Sequence, residues 1–568
     1  MLTSLSSATH NPGMKSRFRL FLIMLLSSVS LFWLLYLFRS YDDSRLASWA
    51  DVYQTTGPLK TLLVIILMQA AAFLVSSYSM PERLQPYFLA AFSFAASVLF
   101  WAEPEMIVDA SRYFIYAKYL KVYGIMHFLR EWGGSIGIWT DLPAVPLIYG
   151  LSFELFGESR AVIQVLNSGF FAGSVLLTYA IGRELFDKDI GFNAALLFMG
   201  IPYIYTQVPL MLVDIASLFF LMLGIYLFLA ALRRGGLFVF YAALAVAAAF
   251  FTKYSTWLML TVLPVIYAAE LYRLRRSGMD RTALRGMIAF FLSFFLISLV
   301  IALKHDEMMR QIHLLVSYQR PGLSRWGESL ISTYLFQVHP ALPVMALVSV
   351  YAAFRGRDAS YIAVAWLVLL VLVLQVRRIR YIVMVFPMLA LMASCGMAQL
   401  RQRFDTRFIS MSVAAFSLAV ALSGFLPFMQ NTSAVNFINA GKYLDSLDVN
   451  ELKVFTPLPD EYHLNPAVSV PLLDLFTDKK IVYDYAPGSY PPPADISSSR
   501  LRFTWEYRNP PFYQDDAGGS RAVVVISDRK DSGELPEIRK EIEGLSGRMD
   551  FSVRDDMFSH QTLITVYH

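Results

Sequence analysis

Charge is scarce in this chain. Asp, Glu, Lys and Arg make up 16% of its 568 residues, 56% are hydrophobic, and the mean hydropathy is +0.50. A soluble globular chain carries roughly 25% charge. Much of this one therefore faces something other than water, which argues against an ordinary soluble enzyme and against a disordered chain. Cysteine is nearly missing as well. The only one, Cys395, lies in an apolar run, so no intrachain disulfide can form. No strong excess of either charge sign exists. The net charge of +5 is small for this length and the basic residues are scattered, which leaves nucleic-acid binding without support. The devices of nucleotide and zinc chemistry are missing too: no GxGxxG between a strand and a helix, no GxxxxGK(S/T) loop, no paired CxxC, no HExxH.

Aromatic residues and long apolar runs are what the chain has instead. Its 44 Phe and 31 Tyr suit lipid and its interfaces. A span needs about 20 mostly apolar residues. About 13 stretches are candidates: 18–38, 59–78, 84–102, 161–182, 191–206, 210–232, 237–251, 255–271, 286–303, 341–354, 359–376, 381–400 and 408–429. The first follows Lys15, Arg17 and Arg19 and is too long for a signal-peptide core, so it reads as a retained span. With the N-terminus cytoplasmic, the inner segments hold Arg233-Arg234, the 273–285 stretch, Arg355 and Arg357, and Arg401, Arg403 and Arg407, as the positive-inside rule asks.

The expected organisation is a cytoplasmic tail (1–17), a multispanning domain (18–429) in the plasma (inner) membrane with large outer loops at 103–160 and 304–340, and a C-terminal extracytoplasmic domain (430–568). The apolar stretch 147–157 is too short to span and reads as a juxtamembrane or re-entrant helix. Beyond Gln430 the composition turns polar, with turn signals at Tyr490-Pro-Pro-Pro and Gly518-Gly519 and a formal sequon at Asn431-Thr-Ser. Short β-like runs at 453–456, 480–485, 501–507, 522–527 and 562–567 predict a mixed α/β domain. The fold class is thus an all-α polytopic membrane protein with a small α/β domain outside.

The charges that lipid burial leaves unexplained lie near span ends on the outer side. If a helix starts near Asp109, then Asp109, Arg112, Tyr113 and Tyr116 share one face. Asp109 beside apolar surface has reason to act as a base, since desolvation raises a carboxyl pKa; the plainer reading is a helix N-cap. Trp139-Thr-Asp141-Leu-Pro143 follows; Trp101, Trp132 and Trp139 also fit an interfacial aromatic belt. Asp214 is a lone carboxylate in an apolar run, costly unless functional or placed to favour the helix dipole. Lys253, followed by Tyr254, sits at a helix end, where snorkelling is the ordinary account. Arg377, Arg378 and Arg380, followed by Tyr381, crowd a short outer loop against the charge rule and suit anionic headgroups or, preferably, one phosphate. His127, His305, His313 and His339 match no metal spacing; they read as polar interfacial residues, with a weak metal site as the alternative.

Four blocks between Trp101 and Leu400 resemble the GT-C fold glycosyltransferases, nearest the protein O-mannosyltransferase and lipid A aminoarabinose transferase group. They are Asp109-Ala-Ser-Arg112-Tyr113, Trp139-Thr-Asp141-Leu-Pro143 ahead of Leu155-Phe-Gly-Glu158-Ser, Leu212-Val-Asp214, and Thr252-Lys253 with Arg380-Tyr381. Two departures stand out: Ala110 replaces the second acid of the family's Asp-Glu pair, and Asp141 with a single Pro143 stands where some members have a lysine and two prolines.

The resemblance implies transfer, with inversion, from a polyprenyl-phosphate-linked sugar to a hydroxyl of a protein, lipid or glycan acceptor at the outer face of the bilayer. It implies Asp109 as base and Asp214 as a second base or as the orienter of a cation. Arg112, Lys253, Arg377, Arg378, Arg380 and Tyr381 would hold the donor phosphate, and Tyr113, Tyr116, Trp139, Asp141 and Tyr254 would line the pocket. The resemblance fixes no cofactor and leaves a divalent cation as an open alternative. A lipid donor makes a nucleotide-binding domain unnecessary. The competing readings are a secondary transporter, which would show internal repeats and midplane charges, and a non-catalytic membrane scaffold. The oligosaccharyltransferase branch would show a Trp-Trp-Asp motif, and none occurs.

Overall fold

The computed structural model describes residues 14–44, 48–78, 80–105, 107–274, 279–319, 328–356, 359–400, 404–432, 434–457, 465–484, 502–515, 518, 520–527, 536–553 and 562–568. Arg357, Arg401, Arg403, Tyr490-Pro-Pro-Pro, Gly519 and part of the 304–340 loop lie outside these.

Helices dominate. Among the described residues eight are long and apolar enough to cross a membrane: Lys15–Leu37, Pro58–Ser77, Arg160–Leu185, Asp214–Arg234, Tyr254–Arg273, Asp280–Leu303, Ile379–Ala398 and Thr406–Asn431. Shorter apolar helices cover Leu237–Phe250, Ala341–Gly356 and Ala359–Val373. Eight full-length helices against about 13 apolar stretches has a local cause: several stretches are broken. In 191–206, the helix Lys188–Met199 stops at Gly200, and a separate turn starts at Pro202, which lacks the amide a continuing helix needs. Side-chain caps mark several starts. Ser159 accepts from the Val162 amide, Asp187 from Ile190 and Asp405 from Phe408, each meeting one of the orphan donors of a helix N-terminus.

One face of this bundle carries Glu184 with Arg233 and Arg234, Glu270 with Arg233 and Arg273, and Arg17 with Asp405. Two helices lie across the other face. The first, Ile107–Glu131, bends at Gly124, where φ is +82°. The second, Ala144–Phe156, buries Val145, Tyr149 and Phe153 and takes up most of the stretch expected to be juxtamembrane. At Gly150 an added Cβ would lie 2.9 Å from the Ala117 carbonyl oxygen, so glycine permits this close crossing.

The C-terminal region forms a five-stranded sheet. The strands are β1 Glu451–Phe455, β2 Lys480–Val482, β3 Arg521–Ser527, β4 Arg548–Val553 and β5 Thr562–Tyr567, in the order β2-β1-β3-β5-β4. β1 pairs in parallel with β2 and β3, while β5 runs antiparallel to β3 and β4. Two expectations fail. Arg502–Glu506 is a 3-10 helix rather than a strand, with Thr504 buried and its hydroxyl accepting from the Asn465 amide. β4 went unforeseen because Arg-Met-Asp-Phe-Ser-Val has too few apolar residues to signal a strand; its register against β5 supplies the order. The domain rests on the 107–131 helix: Lys118 Nζ reaches Asp474 at 2.6 Å, and the Ser111 hydroxyl donates to the Val468 carbonyl.

Candidate active site

Five segments separate in sequence bring six charges into one line. Lys253 Nζ lies 2.6 Å from Asp214 Oδ1, and Arg380 Nε lies 2.9 Å from Asp214 Oδ2. Arg380 Nη1 also contacts Asp109 Oδ2. Arg112 Nη2 is 3.1 Å from Asp109 Oδ1, and Arg112 Nε is 3.0 Å from Asp141 Oδ2. Signs alternate along the line, from Lys253 through Asp214, Arg380, Asp109 and Arg112 to Asp141. Each acid is thereby neutralised where the surroundings are apolar, the condition for keeping such charges ionised at all.

The scaffold explains why each member sits where it does. Asp214 opens the helix Asp214–Arg234. The segment before it is pinned from three sides: Glu105 Oε2 accepts from the Met211 amide at 2.8 Å, Asn167 donates to the Leu210 carbonyl at 2.7 Å, and Tyr149 donates to the Leu212 carbonyl at 2.6 Å. Glu105 is itself fixed by Arg160 at 2.7 Å. Lys253 immediately precedes the short helix Tyr254–Met259, with Nζ 5.1 Å from the Tyr381 ring centre. Arg380 is carried by Ile379–Ile382, whose first amide donates to Glu328 at 3.1 Å.

Asp109 lies in the first turn of Ile107–Glu131, but its oxygens go to guanidinium groups, not to backbone amides as an N-cap requires. Burial opposes its charge; Arg380 and then Arg112 outweigh burial and hold the carboxyl below the usual carboxylate range. The expected rise at Asp109 is therefore reversed, because two guanidiniums flank it. Asp141 behaves otherwise. Burial dominates there, Arg112 offsets only part of it, the Asp109 charge repels it, and its carboxyl is raised. Tyr113 and Tyr116 donate to its two oxygens at 3.2 and 3.3 Å. Burial first, and then the Asp141 charge, push both phenols up, so they stay protonated donors.

The other expected site residues fall nearby or apart. The Tyr254 hydroxyl donates to Gln311, which donates to the Asp141 carbonyl at 2.9 Å. Arg378 lies over the Tyr381 ring at 5.6 Å and adds to the field on Asp109. Arg377 bonds Gln375 on the exposed side of the loop. Trp139 is buried beside Arg502. The four outer histidines do not gather; His339 packs against Phe416, and burial lowers its pKa to about 3. Among the described residues no three His, Cys, Asp or Glu side chains group as metal ligands, and the cations at Asp214 are Lys253 and Arg380. Gln311, Glu105 and Glu328 escaped sequence reasoning. Glu105 had a signal in Glu103-Pro-Glu105, beside the first block; the other two had none.

Fold and site together define an integral membrane protein with a line of paired charges at one end of its helices and a small α/β domain beside it. Residues 141–303 match the family of dolichyl-phosphate-mannose-protein mannosyltransferases, a stretch that holds Asp141, Asp214 and Lys253. No curated protein matches the chain in sequence. Among solved structures, the chain is similar to ArnT from Cupriavidus metallidurans bound to undecaprenyl phosphate, at 13% identity over 84% of this chain and 97% of that one, with a TM-score of 0.49. It is also similar to the oligosaccharyltransferase of Archaeoglobus fulgidus in complex with Zn and sulfate, at 12% identity over 78% and 68%, TM-score 0.45. A third is AglB, an archaeal oligosaccharyltransferase from the same organism in complex with an inhibitory peptide and a dolichol-phosphate, at 11% over 83% and 74%, TM-score 0.46.

Proposed function

We propose that this protein is a membrane glycosyltransferase that moves a sugar from a polyprenyl-phosphate donor to a hydroxyl of a protein, lipid or glycan on the extracytoplasmic side, with inversion. The line of alternating charges from Lys253 to Asp141 carries this reading. Three carboxylates there balance three cations, and Arg378 adds to the positive field on Asp109. Cations fixed along that line suit a phosphate whose charge grows during reaction. The acceptor oxygen attacks the anomeric carbon, the bond from that carbon to the phosphate oxygen breaks, and its electron pair leaves on the polyprenyl phosphate. A phosphodiester carries one negative charge and the departing monoester approaches two. Arginines fixed in advance stabilise that increase in the transition state. A carboxylate at the Asp109–Arg112–Asp141 end takes the acceptor's proton. The match to the mannosyltransferase family over 141–303 supports the same chemistry.

Incubating the purified full-length protein with radiolabelled polyprenyl-phosphate hexoses and pentoses, and with a membrane extract as the acceptor source, tests this. Label should move to an acceptor, and Asp109→Asn should lower the rate by about 10²-fold or more, since it unseats Arg380 and Arg112. Absence of transfer from every such donor overturns the reading. Full transfer by a folded Asp109→Asn variant removes Asp109 from the site.

A further inference from the structure

We propose that Asp141, rather than Asp109, is the carboxylate that accepts the proton of the attacking hydroxyl. The inference rests on the glycosyltransferase reading above and deepens it. Its ground is position along the line of charges. Asp109 and Asp214 are interior members, each between two cations. Asp141 is the terminal acid, with Arg112 as its one cation. A proton placed on Asp109 would strip the shared counter-ion from Arg380 and Arg112 together. A proton placed on Asp141 leaves every other pair intact, and Arg112 keeps Asp109. Proton uptake thus costs least at the end of the line.

The contacts agree. Asp214 is held at 2.6 and 2.9 Å and is 2% exposed. Asp109 is the most open of the three at 21%, yet both its oxygens are engaged by guanidinium nitrogens. Asp141 is 10% exposed, and its hydroxyl donors are long, at 3.2 and 3.3 Å against the usual 2.7–2.8 Å for an O–H···O bond. A carboxylate offers about four acceptor sites, so an incoming hydroxyl can bond Asp141 without displacing Arg112. The groups facing Asp141 are Arg112, Tyr113, Tyr116 and, at longer range, Asp109, all from Ile107–Glu131, then Tyr254 from its own turn and Gln311 from His305–Leu314 on the backbone carbonyl. Arg112 alone among them is positive. A base with greater proton affinity also has the larger driving force for transfer.

The test uses the full-length protein, the polyprenyl-phosphate sugar that the wild type turns over, and the acceptor it labels. In the wild type, kcat/KM should fall as pH drops through the Asp141 ionisation. Asp141→Asn should lower kcat by about 10²–10⁴-fold, change KM for the donor little, and lose that acidic limb. Asp141→Glu should restore part of kcat, and added formate should raise the rate of Asp141→Ala at least tenfold, an effect that a purely structural role would not show. Asp109→Asn should keep the acidic limb while weakening binding of polyprenyl phosphate. An active wild type whose limb survives in Asp141→Asn and vanishes in Asp109→Asn assigns the base to Asp109 and overturns the proposal. A wild type that transfers no sugar overturns the underlying reading and the proposal with it.

Discussion

At the scale of single residues, partners decide what a charge can do, and partners were the least legible feature of the sequence. Asp109, Asp214, Lys253 and Arg380 stood out because charge is rare in apolar runs. That Arg380 joins Asp109 across 271 positions and Asp214 across 166 had no local signature. The wrong direction of the Asp109 shift follows from that gap: burial and the neighbouring Arg112 were visible in the sequence, and Arg380, whose charge lowers the carboxyl more than that of Arg112, was not. Asp42 makes the same point, for nothing in Tyr41-Asp42-Asp43 marks it in the sequence. It is buried between two segments, accepting from the Ser332 hydroxyl, the Gln337 amide at 2.8 Å and the Trp49 amide at 2.7 Å. Burial outweighs these bonds and raises its carboxyl from 3.8 to about 7. The folded protein therefore keeps a proton that the unfolded chain releases near pH 4. This contribution is complete below the unfolded value, declines as pH rises through the interval, and is gone above about 7, with an upper limit of roughly 4 kcal/mol. Thermal unfolding in detergent should show the midpoint falling between pH 4 and 7 in the wild type. In Asp42→Asn the slope across that interval should be visibly smaller; an unchanged slope would exclude Asp42 as its source.

Among elements, hydropathy located most helices and composition located most strands. The 13 apolar stretches all lie on helical segments, but breaks such as the one between Gly200 and Pro202 do not alter mean hydropathy. Four of the five strand-like runs are β1, β2, β3 and β5; 501–507 had the residue types of a strand, but Arg502–Glu506 is a 3-10 helix outside the sheet. Close helix packing left fainter marks. At Gly182 an added Cβ would lie 2.6 Å from the Gly191 Cα, and at Gly191 one would lie 2.5 Å from the Tyr179 carbonyl oxygen. At Gly396 it would run into the carbonyl of Met345, on the neighbouring helix Ala341–Gly356. Backbone cannot rotate aside as a side chain can, so Gly396→Ala must push two helices apart, at about 1–3 kcal/mol. Gly169 lies in Arg160–Leu185 with nothing within 4 Å of its would-be Cβ. Alanine there should be neutral or stabilising by up to roughly 1 kcal/mol, through helix propensity alone. Unfolding of the two variants in the same detergent separates contact from propensity; equal stability would show that the 341–356 and 386–398 helices can separate without loss.

On the scale of the whole molecule, one helix fixes how the two faces relate. Asp214 begins it and Arg233-Arg234 end it. Its 21 residues, at 1.5 Å each, cover roughly 30 Å, the thickness of a hydrocarbon core. The charge line and the arginine-rich face must therefore lie on opposite sides of the bilayer, whichever side is which. The C-terminal domain goes with the charge line, since Lys118 and Ser111, on the helix that carries Asp109 and Arg112, hold Asp474 and Val468. We propose the direction from the positive-inside rule: Arg233, Arg234 and Arg273 would face the cytoplasm, and the domain would lie outside. A single native cysteine makes this easy to test. Cys395 is half-buried in Phe386–Ala398 and can be replaced by Ala. Glu537 is exposed in the C-terminal domain, and Asp280 is exposed at the start of Asp280–Leu303, on the arginine-rich side. In this Cys395→Ala background, Glu537→Cys should react with a membrane-impermeant maleimide on intact cells, and Asp280→Cys only after permeabilisation. The reverse pattern would place the domain and the charge line in the cytoplasm together. A donor presented at the outer leaflet could then no longer reach Arg380, and the direction of sugar transfer would have to be inverted along with the topology.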